Sequence, residues 1–286
     1  MTGTAEASVI TQPFARRPHS RSLVAGCILT GFIALIALIS LVYLPYEPAD
    51  TTGDRLAGPD LQHWAGTDKL GRDLLTQLMI GARIALLAGG GSVLVGAVLG
   101  ISVGLAAAFA TRWIDDTLSA VLDILIAFPT LLLAMLVIAA QGASLGSAVL
   151  AIGLGMSAIV ARLTRILAKR VLTQEYVTAA RTSGTSWLGI ISRHLLPNIW
   201  PTILVNLALQ FGLAVLAEAS LSYLGLGAPP PNASWGRILQ EAQGTVYTAP
   251  IGAIAPGLLL VVLVIGVNLA ADGLRDIADP TRRTRR

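Results

Sequence analysis

Residues that could support covalent chemistry are few in this chain of 286 residues. One Gly-x-Ser-x-Gly pattern, from Gly142 to Gly146, gives Ser144 the spacing found around the nucleophile of serine hydrolases. That chemistry needs a strand before the serine, a helix after it and a histidine base, whereas this pattern joins two apolar runs with no histidine near it. We therefore attribute the pattern to chance and keep a membrane-embedded hydrolase only as an alternative.

The chain also lacks the residues that would bind a metal ion or a nucleotide. The three histidines, His19, His63 and His194, are far apart, and the single cysteine, Cys27, lies in an apolar run. This pattern predicts no metal site. The sequence contains no Gly-x4-Gly-Lys-Ser/Thr motif, so the backbone cradle and the lysine that hold nucleotide phosphates are missing. We expect that the chain is not an enzyme and binds no cofactor.

The composition is that of a membrane protein. Hydrophobic residues make up 54% of the chain and charged residues only 13%, whereas about a quarter of a soluble domain is charged. The mean hydropathy is +0.72. The net charge of +4 comes from arginines that bracket apolar runs. Membrane topology explains this charge better than nucleic-acid binding does, so we expect no nucleic-acid partner.

Six apolar runs are long enough to cross a hydrocarbon core about 30 Å thick. They cover residues 23–44, 84–110, 117–140, 146–166, 201–219 and 250–271. The first run exceeds the apolar part of a signal peptide and no small-x-small cleavage site follows it, so it predicts an uncleaved anchor. Most of the 20 lysines and arginines fall on the inner side if the chain starts in the cytoplasm. We therefore predict cytoplasmic tails, 1–22 and 272–286, around a transmembrane region, 23–271.

Three segments outside these runs are organised. Residues 45–83 mix turn residues with charges and are predicted to form an external cap. The external loop 220–249 contains three consecutive prolines and Trp235, a residue suited to the membrane interface. Residues 169–197 are predicted to form two short cytoplasmic helices. Thr185 or Ser186 would cap the second of these helices and Pro197 would close it.

Polar residues inside the runs have two possible roles. Asn206 and Gln210 lie one turn apart, and Asn268 lies near the inner end of the last run, so they either line an aqueous route or bond between helices. The few ionisable residues, such as Asp123 and Arg162, are explained by helix pairing or snorkelling. Their scarcity argues against a proton-coupled carrier. A stripe of small residues in 84–110 is interpreted as a packing seam.

One motif in the inner segment is the most informative. Thr178, Ala179 and Ala180 are followed by Gly184 and later by the pair Leu196-Pro197. This arrangement resembles the cytoplasmic EAA loop (Glu-Ala-Ala) of the permease subunits of bacterial ATP-binding-cassette (ABC) importers, with Thr178 where the family has Glu. That departure weakens a charged contact and leaves the rest of the motif in place.

Other motifs resemble the dipeptide, oligopeptide and nickel branch of these permeases, and its second permease subunit more than its first. They are residues 66–73, 81–83, 217–227, 234–236, Asn268, 272–276 and 279–280. The resemblance implies an all-α polytopic membrane protein with six transmembrane helices and an EAA-type coupling loop, the type I ABC importer permease fold. It also implies a multi-pass location in the bacterial inner membrane.

The resemblance further implies partners and sites. The partners would be membrane lipid, a homologous second permease, two cytoplasmic ABC ATPase subunits that hold ATP and Mg, and an extracytoplasmic solute-binding protein. The implied function is ATP-driven import of peptides or a related small solute. The implied ATPase-coupling residues are Thr178, Ala179, Ala180, Arg181, Gly184, Ile190, Leu196 and Pro197. The implied external-face residues are Gly66, Thr67, Asp68, Gly71, Arg72, Asp73, Ser234 and Trp235.

A rival hypothesis is a secondary transporter or channel that works without ATPase partners. Such a protein would lack an EAA-like loop and would carry charges in the middle of its spans or discontinuous helices.

Overall fold

The computed structural model describes residues 21–229 and 232–278, so most of both predicted tails and two of the three consecutive prolines lie outside the described residues. Within these ranges the chain forms α-helices and no strand. The helices are α1 (Arg21–Val42), α2 (Leu74–Phe109), α3 (Arg112–Ala127), α4 (Thr130–Gln141), α5 (Leu145–Leu172), α6 (Glu175–Thr182), α7 (Trp187–Ile190), α8 (Leu196–Tyr223), α9 (Trp235–Ala242) and α10 (Ile251–Ala278). A π-helical turn, Ile191–Leu195, joins α7 to α8.

Among the described residues, five helical stretches are long and apolar enough to cross a membrane. Taken together, α3 and α4 are also long and apolar enough to cross a membrane, although they are bent by 91° at a short break. The predicted run 117–140 is therefore divided at Phe128 and Pro129. Proline fixes its own φ, lacks a backbone N–H and disfavours helix at the residue before it, which explains the position of the break.

The α2 helix begins well before residue 84, where its apolar run was predicted to start. Asp73 caps it by accepting a hydrogen bond from the backbone N–H of Thr76 at 2.7 Å. The helix has 36 residues, which corresponds to about 54 Å, considerably more than the hydrocarbon core. Its first turns therefore extend beyond the apolar layer, into the cap.

The α2 and α5 helices pack closely along the predicted small-residue stripe. A Cβ added at Gly100 would lie 2.7 Å from the carbonyl oxygen of Ser157, and one added at Gly104 would lie 2.5 Å from that of Ala161. Larger side chains would force the two backbones apart. The structure thus confirms that this stripe is a packing seam within the chain.

The α3–α4 pair follows α5 along most of its length. At one end Asp115 of α3 accepts hydrogen bonds from Arg165 at 2.5 and 2.8 Å, and it also pairs with Lys169. At the other end Ala134 and Ile138 of α4 pack in one cluster with the first turns of α5. The pair therefore runs from one end of the bundle to the other, as a broken membrane-crossing element would. A discontinuous helix was also expected of a secondary transporter, so this break does not separate that hypothesis from an ABC permease. We call the two ends of the bundle the α6 end and the cap end.

Candidate functional site

The α6 helix ends in a rigid turn at Gly184. The N–H of Gly184 donates to the carbonyl of Arg181, and the N–H of Thr185 donates to that of Ala180, both at 3.0 Å. These two bonds form a Schellman motif, which requires a left-handed residue at its centre. Gly184 has φ +85°, a conformation that residues with a Cβ rarely adopt. Gly184, which the family resemblance places among the coupling residues, is thus also a structural requirement of the turn.

The predicted coupling residues fall into two groups. Thr178, Ala179, Arg181 and Gly184 are exposed, with Ala180 partly so, and they form a continuous polar and small-residue surface. Ile190 is buried, and Leu196 is partly buried. Val177, which the sequence did not single out, is also buried and anchors α6 to the bundle. The exposed group is available for contact with another protein, while the buried group holds the segment in place.

The helix that follows does not end where it was predicted to end. Ser186 caps α7 as expected, by accepting a hydrogen bond from the N–H of Gly189 at 3.2 Å. Pro197, however, does not close the second helix, so that prediction is wrong. In a regular α-helix its ring would clash with the carbonyl of Arg193. The π-helical turn before it, in which Leu196 N–H bonds to Ile191 O five residues back, widens the helix and accommodates the proline.

The consequence is one helical stretch of 37 residues, Trp187–Tyr223. It begins beside the exposed surface of α6 and ends at the cap end of the bundle. The stretch is continuously helical, and Pro197 and Pro201 are the two residues in it that lack a backbone N–H to donate. A displacement of α7 can therefore be carried along the stretch, with these prolines as its weakest points.

Aromatic contacts connect the turn to the bundle. The guanidinium of Arg181 lies over the ring of Trp187, 4.1 Å from its centroid, a favourable cation–π geometry. The same ring meets Phe109 of α2 edge-on, with the centroids 5.1 Å apart. Trp187 was not among the predicted residues, and no local sequence pattern indicates its contacts with Arg181 and Phe109. A groove of about 580 Å³ lies beside this contact, with Leu105 and Ile191 in its walls.

The predicted external-face residues lie in the cap but are mostly buried within the chain. Gly66, Thr67, Gly71, Asp73 and Ser234 are all buried. Thr67 accepts a hydrogen bond from the N–H of Ala57 at 2.9 Å and donates to the carbonyl of Asp54. Gly66 and Gly71 have φ values of +78° and +84°, which explains the choice of glycine at these turns. These residues hold the cap in shape.

Histidine and aspartate side chains complete the cap. Asp73 Oδ1 lies 3.0 Å from His63 Nδ1, and the histidine ring stacks against Tyr46 with centroids 4.6 Å apart. Asp60 accepts hydrogen bonds from the backbone N–H groups of His63 and Gln62. The bond from His63 is the main cause that lowers the pKa of the Asp60 carboxyl, so this turn carries a negative charge at neutral pH.

An ion-pair network ties the cap to α9. Arg72 donates to Asp68 and to Glu241, each at 2.6 Å, and Glu241 also accepts from Arg237 at 3.0 Å. The side chains of Arg72, Asp68 and Glu241 are all largely buried. Shielding from water strengthens these charge-assisted bonds. The cap and α9 therefore form one unit.

Trp235 is buried, so it is not the anchor at the membrane interface for which its residue type is suited. Its exposed fraction is 1%, and its Nε1 donates a hydrogen bond to the carbonyl of Leu78 at 3.0 Å. The ring occupies the space that Gly81 leaves free, since a Cβ there would lie 2.3 Å from the ring. Ser234 caps α9 by accepting from the N–H of Arg237. The tryptophan thus joins α9 to α2.

The polar residues of α8 do not form a defined binding site within the described chain. Gln210 is buried, and the Oδ1 of Asn206 is buried with no hydrogen-bond partner in the described part of the chain. Asn268 lies across from Gly212, whose added Cβ would be 3.6 Å from its Oδ1. Glu218 is buried and accepts a hydrogen bond from Ser222 one turn further along α8. The assignment of Asn206 and Gln210 to a pore stays a prediction.

The catalytic alternative loses its support. Ser144 caps α5 by accepting a hydrogen bond from the N–H of Ser147, and the two hydroxyl oxygens lie 2.8 Å apart. The serine follows helix α4 and not a strand, and neither described histidine bonds to it. Within the described ranges no group of three or more His, Cys, Asp and Glu side chains could hold a metal ion. The Gly-x-Ser-x-Gly pattern is a helix cap.

The fold and the exposed α6 segment define the class of protein. Residues 96–284 match the family model described as the binding-protein-dependent transport system inner membrane component. The chain belongs to this family and is a permease subunit of an ABC importer, a transport component and not an enzyme.

Two relatives with named transport functions are similar to most of this chain. The chain is 38% identical over 268 residues to a dipeptide transport system permease protein of Alkalihalophilus pseudofirmus, covering 94% of this chain and 88% of the relative. It is 41% identical over 230 residues to a glutathione transport system permease protein of Pectobacterium atrosepticum, covering 79% and 76%. A chain in an inward-facing structure of the MetNI methionine ABC transporter matches with a TM-score of 0.60 and 23% identity, covering 71% of this chain and 97% of that one. That match supports the fold.

Proposed function

We propose that this permease imports peptides, or a closely related small solute, together with a second permease, two cytoplasmic ATPases that bind ATP and Mg, and an extracytoplasmic binding protein. The observation that carries the coupling role is the exposed surface of α6 that ends in the Schellman turn at Gly184. The peptide substrate is supported by relatives named for dipeptide and glutathione transport. Glutathione is itself a tripeptide, so the two names describe one chemical class.

The geometry supports a lever mechanism for coupling. The exposed residues Thr178, Ala179 and Arg181 would contact an ATPase, and the Arg181–Trp187 contact would pass the movement to α7. Because Trp187–Tyr223 is one helical stretch, a movement of α7 would be passed to the cap end of α8. ATP binding at the partner would then change access to the pathway between the two permeases.

The orientation that we propose places the α6 end in the cytoplasm. Exposed or partly exposed cations cluster at this end, among them Arg112, Lys169, Arg170, Arg181 and Arg193. Such an excess of positive charge favours the cytoplasmic side of a membrane. Both termini would then lie in the cytoplasm.

The cap would face the binding protein. Its buried residues, among them Gly66, Gly71, Asp73, Ser234 and Trp235, would act as the scaffold. The contact surface would come from strongly exposed apolar side chains at this end, Leu61, Trp64 and Tyr247. Exposed apolar side chains of this size are suited to a protein interface.

Ala179→Asp tests the coupling surface. We expect the variant complex to lose most of its dipeptide-stimulated ATP hydrolysis, because a carboxylate would be desolvated in the contact with the ATPase. Ala179 is exposed, so the chain should insert at the wild-type level. The measurement is ATPase activity of the purified complex with and without loaded binding protein. The matched control, Ala179→Ser, keeps a small uncharged side chain and should stay active, whereas full activity of Ala179→Asp would contradict the proposal.

A further inference from the structure

An ion pair lies half-exposed on a membrane-crossing element. Asp123 Oδ1 of α3 and Arg162 Nη1 of α5 are 3.3 Å apart, and their side chains are 57% and 52% exposed in this chain. Asp123 lies in the α3–α4 pair, which is long and apolar enough to cross a membrane when its two helices are taken together. Charged groups in the hydrocarbon layer face a water-filled cavity or the interior of an assembly, because contact with lipid is costly. The open side of this pair is therefore unsuited to lipid.

The break between α3 and α4 is an independent observation at the same element. The last turn of a helix leaves carbonyls without partners, and the first turn of the next leaves N–H groups without partners. At membrane depth such backbone is tolerated only where it is covered by protein or lines water. Phe128 and Pro129 at the break are both exposed in this chain, so its polar backbone groups need the same environment as the ion pair.

Neighbouring ion pairs also join α3 to α5, and they are better shielded than the pair of Asp123 and Arg162. Asp115 already links α3 to α5 through Arg165 and Lys169, and its side chain is only 7% exposed. The side chains one turn on either side of Asp123 on the exposed face are Ala120 and Ala127. These small residues leave open space next to the charged pair. The face thus combines small exposed side chains at positions 120 and 127 with two opposite charges.

We propose that Asp123, Arg162 and the α3–α4 break line a water-filled part of the translocation pathway. There the carboxylate of Asp123 receives the ammonium terminus of a passing peptide and the guanidinium of Arg162 receives its carboxylate terminus. A zwitterion can exchange partners with a 3.3 Å ion pair without leaving either charge unpaired. This inference rests on the proposed function, and it adds a recognition step within the permease itself.

Cysteine labelling in inverted membrane vesicles tests the proposal on the complete transport complex. Ala120→Cys and Ala127→Cys, each made with Cys27→Ala, leave the ion pair intact. The matched control is Ile265→Cys on α10, which replaces an apolar side chain that is also exposed, to 47%. We expect a charged methanethiosulfonate reagent to modify the two α3 cysteines about tenfold faster than the control, because both the reagent and the thiolate need water. Dialanine should slow their labelling, and N-acetyl-dialanine amide, which lacks both charges, should not.

Two results would overturn the proposal. Labelling of Ala120→Cys and Ala127→Cys as slow as that of Ile265→Cys would mean that this face is covered by lipid or by the second permease. Fast labelling that both peptides slow equally, or that neither slows, would exclude recognition of the charged termini. Dipeptide-stimulated ATP hydrolysis is measured on the same vesicles. Its absence would count against the proposed function, whereas labelling reports on the pathway independently of ATP hydrolysis.

Discussion

Gly184→Val is expected to abolish dipeptide-stimulated ATP hydrolysis while the chain still inserts in the membrane. Gly184 has φ +85° at the end of α6, and a β-branched residue in that conformation costs about 1–3 kcal/mol. The Schellman turn would open, and the exposed face of α6 would lose its fixed orientation relative to α7. The measurement is ATPase activity of the purified complex, with the amount of chain in the membrane as the reference.

Two controls separate strain from loss of coupling. Gly184→Asn should restore most of the activity, because asparagine tolerates the left-handed conformation. Gly225→Val places similar strain at φ +81° near the opposite end of α8, also in open space, and should keep the response to peptide. Equal loss of coupling in Gly184→Val and Gly225→Val would show that general destabilisation, and not the α6 turn, causes the effect.

Trp235→Ala is expected to produce the largest loss of stability. The substitution removes a fully buried ring and leaves the carbonyl of Leu78 without its hydrogen bond. Truncation of a buried tryptophan costs about 3–5 kcal/mol. Thermal unfolding of the detergent-solubilised chain should show a much lower Tm. Trp64→Ala is the matched control, because that side chain is 74% exposed in the same cap, and its Tm should stay near that of the wild type. Similar Tm values for the two variants would contradict the buried role of Trp235.

The membrane-crossing architecture could be predicted because apolar runs and cation distribution report directly on the bilayer. The turn at residues 182–186 could also be predicted, since Ser186 and Gly184 are residues that cap and end helices. The family resemblance added the role of this segment, which periodicity alone does not give.

Features that depend on distant residues could not be predicted. Arg72 and Glu241 are separated by 169 positions, and no local pattern indicates their contact. Trp235 has the sequence context of an interfacial residue, and only the space at Gly81 explains why it is buried. Pro197 normally ends a helix, but the π-helical turn before it carries the helix past the proline. The exposed pair of Asp123 and Arg162 depends on how two helices, each unremarkable in sequence, lie side by side.

We expect this chain to work only with an ATPase bound to the α6 surface. The most direct test is to purify the tagged chain in mild detergent after co-expression with the genes that flank its own. We predict that an ATPase subunit co-purifies and that its ATP hydrolysis rises when binding protein loaded with dialanine is added. A chain that accumulates dialanine in vesicles without any ATP-hydrolysing subunit would contradict the account.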